Sequence, residues 1–96
     1  MSDKELYLQK LQAQLDQWMA EAFKLKAQAS GASADAQLEM NKHIRALESK
    51  IDEGKAKLGE VADMGEEAWE SVKDGVESSW GTLKSAVGDV MSKLRD

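Results

Sequence analysis

The chain has 96 residues, no cysteine, no proline and a formal net charge of −5. It therefore has neither a disulfide framework nor a thiolate metal site, and an acidic chain repels nucleic-acid backbones and anionic lipid surfaces. One small domain is the frame, and the lack of proline favours long unbroken helices.

Ser2 followed by Glu5 reads as a Ser-x-x-Glu capping box that opens a first helix over residues 3–30. Leu8, Leu11, Leu15, Trp18, Ala22, Leu25 and Ala29 follow at alternating spacings of 3 and 4, a heptad seam. Lys24 and Lys26 lie towards its C-terminal end, where the helix dipole favours cations. The break comes at Ser30-Gly31-Ala32-Ser33. Gly31 is suited to a left-handed C-terminal cap, and Ser33 to capping the next helix with Asp35 in its first turn. So short a connection implies antiparallel neighbours.

The second helix resumes the seam with Met40, Ile44, Leu47, Ile51, Gly54, Leu58 and Val61. Folding about residue 32 sets Leu25 near Met40, Ala22 near Ile44, Trp18 near Leu47, and Leu11 near Ile51 and Gly54. Small residues face large ones in several layers, which suits close packing.

From Leu58 the period becomes eleven: Leu58, Trp69, Trp80 and Met91. Trp69, Val72, Val76, Trp80, Leu83, Val87, Val90, Met91 and Leu94 fall on one helical face. Burying nine such side chains is worth on the order of 14–27 kcal/mol, more than a typical domain's whole stability. The stripe must therefore be covered. The pattern carries no proline and no multi-residue loop, so the expected arrangement is all-α: an antiparallel coiled-coil hairpin whose long second helix, residues 34–94, extends beyond it and pairs in a homo-oligomer. Its alternative is a three-helix bundle broken near residues 63–66, where Asp63-Met64-Gly65-Glu66 reads as a weak cap.

The candidate association surface is Trp69, Val72, Val76, Trp80, Leu83, Val87, Met91 and Leu94. Trp18, opposite Leu47, reads as core. Gly75 borders the stripe and would let another helix approach, whereas Gly81 and Gly88 point to solvent and weaken the helix. Asp63, Glu66, Glu70, Asp74 and Glu77 form an acidic face, either a landing site for a basic protein partner or a solubilising surface. His43 with Glu39 one turn before it offers two metal ligands, too few for a site. No nucleophile–base pair or phosphate loop is present, so no enzyme, cofactor or metal is expected.

The order Ala68-Trp69-x-x-x-Lys73-x-Gly75-x-x-x-Ser79-Trp80-x-x-Leu83-x-x-Ala86, with Leu11-x-Ala13-x-Leu15-x-x-Trp18 and Ala34-Asp35-Ala36 upstream, resembles a family of small bacterial coiled-coil stress-response proteins of unknown mechanism. Ser79 departs from the alanine that the family tends to place before tryptophan. The resemblance implies a stress-related, non-enzymatic role without catalytic residue, cofactor or substrate. The leading expectation is a cytoplasmic scaffold, adaptor or protective protein that self-associates through the stripe. The runner-up is a peripheral membrane protein whose tryptophans, flanked by Lys73, Lys84 and Arg95, lie in the lipid interface; the acidity of the same segment counts against it. The longest uncharged stretch, Ala27 to Ala34, is far short of the roughly 20 apolar residues a membrane span needs.

Overall fold

Among the described residues three α-helices follow one another: α1 (Asp3–Ser30), α2 (Ala34–Asp63) and α3 (Glu66–Arg95). The computed structural model describes residues 2–95, the side chain of Arg95 excepted, and no strand occurs among them.

The N-terminal caps are the serines. The Ser2 hydroxyl accepts from the Glu5 N–H at 3.2 Å, and the Ser33 hydroxyl from the Ala36 N–H at 3.4 Å. Each satisfies one of the donors that a helix start leaves unpaired. Gly31 departs from expectation. Its φ of −93° and ψ of −1° are right-handed, and its N–H bonds the Gln28 carbonyl at 3.2 Å. The Ala32 N–H bonds Ala29 at 3.0 Å, so α1 closes by tightening its last turn and the left-handed conformation is not needed.

The single helix expected over 34–94 is instead two helices, and the break lies inside the 63–66 stretch. Asp63 is the last residue of α2, not the cap of α3. Met64 is extended, with φ −76° and ψ 143°, and its N–H bonds Val61 at 3.1 Å. The Gly65 carbonyl accepts the first bond of α3, from the Trp69 N–H at 3.0 Å. From the far end of the sequence, the Lys4 ammonium donates to the Met64 carbonyl at 2.6 Å. A cation thus satisfies a carbonyl that the interrupted helix leaves open.

The chain packs as a bundle of 52 × 20 × 17 Å. Leu11, Leu15, Trp18, Ala22, Leu25 and Ala29 of α1 meet Ile44, Leu47 and Ile51 of α2, and Trp80, Leu83 and Val87 of α3 close the same core. Helix α3 runs antiparallel to α2 and parallel to α1, which places Trp69 against Tyr7 and Trp80 against Trp18. Gly54 marks where the three helices meet. A Cβ there would lie 2.7 Å from Leu15 Cδ2, 3.3 Å from Leu83 Cδ2 and 3.4 Å from Trp80 Cη2. A side chain at this level would press on side chains from both flanking helices.

Candidate functional site: the apolar face of α3

The eleven-residue repeat makes α3 amphipathic, and the hairpin takes up most of its apolar face. Trp69, Trp80, Leu83 and Val87 are buried, with Trp69 only 2 % exposed. Val76, Met91 and Leu94 are half-buried, the last two packed against the core. Val72 alone among the eight is 39 % exposed. It lines an open groove between α2 and α3, about 220 Å³, with Val61, Met64, Gly75, Val76 and Ser79. The cover that the stripe demands is thus supplied mainly within one chain.

The aromatic seat is itself periodic. Tyr7 and Trp69 lie with ring centroids 5.0 Å apart and planes at 38°; Trp18 and Trp80 stack at 5.4 Å and 15°. Tyr7 to Trp18 and Trp69 to Trp80 are both steps of eleven residues, so two parallel helices present matching pairs at one spacing. The two indoles differ in their polar ends. Trp80 Nε1 donates to Gln14 Oε1, whereas buried Trp69 Nε1 finds no acceptor among the described residues. An unpaired buried N–H costs about 1–3 kcal/mol, so Trp69 is seated less favourably than Trp80. Burial raises the Tyr7 phenol above its ordinary pKa, and the charge of Glu77 adds to the effect.

The acidic face is exposed throughout: Asp63, Glu66, Glu70, Asp74 and Glu77. Glu70 pairs with Lys73 at 3.2 Å one turn on. That hydrogen bond and charge raise the Lys73 pKa above its ordinary value. His43 lies 3.6 Å from Glu39, and among the described residues no three His, Asp or Glu side chains group as a metal site. A Cβ on Gly75, Gly81 or Gly88 would meet nothing within 4 Å. The close-approach role expected of Gly75 belongs to Gly54 in α2.

Among the described residues three large exposed apolar side chains fall outside the expected surface: Leu6, Phe23 and Leu38. Phe23 is 76 % exposed and Leu38 71 %. Phe23 lines a groove of about 250 Å³ between α1 and α2 with Met19, Ala22, Ile51 and the Lys26–Glu48 ion pair, whose atoms are 2.6 Å apart. Met19, Phe23 and Lys26 follow at spacings of 4 and 3, a second line beside the seam that the sequence does display. The interfacial reading of α3 needs its tryptophans at the surface, yet both are buried; of its flanking cations Lys84 is exposed, and the Arg95 side chain lies outside the described residues. No described helix is long and apolar enough to cross a membrane.

No family model, no curated protein and no solved structure matches the chain.

Proposed function

We propose that this chain is a non-enzymatic, stress-related scaffold, adaptor or protective protein of the cytoplasm that associates with copies of itself through the apolar face of α3. The observation that supports the reading is the seat of that face. The groove of α1 and α2 that receives Trp69, Trp80, Leu83 and Val87 is carried by every copy, so the surface a chain covers for itself is one that another copy can also cover. The stripe supplies the burial energy and the hairpin the shape. The stress-related role comes from the resemblance in Trp69-x-x-x-Lys73-x-Gly75 and its repeat.

Mass in solution by light scattering, over a wide concentration range, tests the reading. A mass rising above the 10.6 kDa of one chain is expected. A mass fixed at 10.6 kDa at every concentration would contradict it.

A further inference from the structure

We infer that the self-associated form is an exchanged dimer, in which α2 and α3 straighten into one helix at Met64–Gly65 and each chain seats its α3 on the other's hairpin. The inference rests on the self-association proposed above and specifies its geometry.

Three observations carry it. First, the apolar phase runs through the break without a shift. Leu58-Val61-Gly65, Trp69-Val72-Val76 and Trp80-Leu83-Val87 repeat the same spacings of 3 and 4, and the step from one group to the next is always 4. A permanent turn has no need to keep phase, whereas a helix that can run on through residues 64 and 65 does. Second, the hinge is minimal. Only Met64 and Gly65 leave the helical path, a Cβ on Gly65 would touch nothing, and the Met64 carbonyl is held by Lys4. Short hinges favour exchange of the element beyond them. Third, the antiparallel register of α2 and α3 can be kept in a two-fold dimer. Gly54 meets both Trp80 and Leu83, and Val61 shares a groove with Val72, so the paired residue numbers add to a nearly constant value. Any antiparallel pair keeps a constant sum, so two copies of the straightened helix about a two-fold axis can retain these same contacts. The Tyr7–Trp69 and Trp18–Trp80 stacks then re-form between chains unchanged.

The same geometry gives the acidic segment a part. Between Glu60 and Glu77 there are seven acids and one lysine, Lys73, and the two-fold axis would pass through them. Asp63, Glu66 and Glu67 of both copies would converge there, so the closed monomer is favoured in dilute salt and the dimer once these charges are screened.

Two hinge variants, measured by light scattering in concentrated sodium chloride with helicity as the folding check, decide the matter. Gly65→Pro suits the closed form, because residue 64 already has the extended backbone that precedes proline, and it interrupts a continuous helix. It should remove the dimer. Met64→Ala with Gly65→Ala favours the straight helix. The glycine change alone is worth about fivefold per hinge, and with two hinges on the order of 25-fold in the association constant. A dimer that persists undiminished in Gly65→Pro would overturn the exchange while leaving self-association standing. A double-alanine variant that stays monomeric at every concentration would overturn both.

Discussion

Trp18 and Trp80 stack with ring centroids 5.4 Å apart and planes at 15°, although they come from helices α1 and α3 with all of α2 between them in sequence. Both are buried, so this contact joins the third helix to the hairpin at mid-length. Truncating Trp80 to alanine should cost about 3–5 kcal/mol, and the coupling to Trp18 in a double-mutant cycle about 0.5–1.5 kcal/mol. Urea denaturation of the two single variants and the double checks both; independent effects would show that the stacking contributes nothing beyond burial.

Glycine-to-alanine changes should act with opposite signs in two places. At Gly54 the new methyl group would come 2.7 Å from Leu15, a buried side chain, so overpacking of about 2 kcal/mol outweighs a helix gain of about 1 kcal/mol. At Gly81 or Gly88 nothing lies within 4 Å, and each substitution should stabilise by about 0.5–1 kcal/mol. Thermal melts of the three single variants are sufficient to see the difference.

The two α3 tryptophans should respond unequally to phenylalanine. Trp80→Phe loses the hydrogen bond to Gln14, whereas Trp69→Phe removes an N–H that has no acceptor among the described residues. Both lose comparable volume, so the Trp69 change should be the milder by about 1–2 kcal/mol in chemical denaturation. Equal losses would mean that the Trp69 N–H is satisfied in solution.

Tyr7 gives a pH dependence. Its phenol is raised above 10.0 in the folded chain by burial and by Glu77. Once the pH passes about 10 the unfolded chain releases this proton first, so it binds fewer protons than the folded chain and stability falls as pH rises through the folded value. Below that window Tyr7 contributes no pH dependence. Urea midpoints of the wild type should fall more steeply there than those of Tyr7→Phe, and phenolate absorbance reports the group directly because the chain has one tyrosine.

How much of this was legible in the sequence varies along the chain. Of the seven residues read as the seam of the first helix, Leu11, Leu15, Trp18, Ala22, Leu25 and Ala29 are buried and Leu8 is half-buried. A heptad pattern has one way to be buried in a hairpin, and both serine caps act locally. The path after Val61 was less legible, because an apolar stripe does not state which surface covers it. No proline or loop marks Met64–Gly65, and the ammonium that satisfies the Met64 carbonyl comes from Lys4, at the opposite end of the sequence. Gly54 shows the same limit. Its place in the seam was visible, but its neighbours Trp80 and Leu83 belong to the helix whose position was open.

Small-angle scattering of the wild-type chain across concentration and salt tests most directly that α3 is seated on its own hairpin when dilute and on another's when associated. The closed monomer has a radius of gyration of 15.7 Å. A straightened helix over 62 residues is about 93 Å long, so the exchanged dimer should approach about 27 Å, with twice the forward scattering per chain. A rise from the first value towards the second is the predicted result. A radius that stays near 15.7 Å under all conditions, with the mass of one chain, would contradict the account.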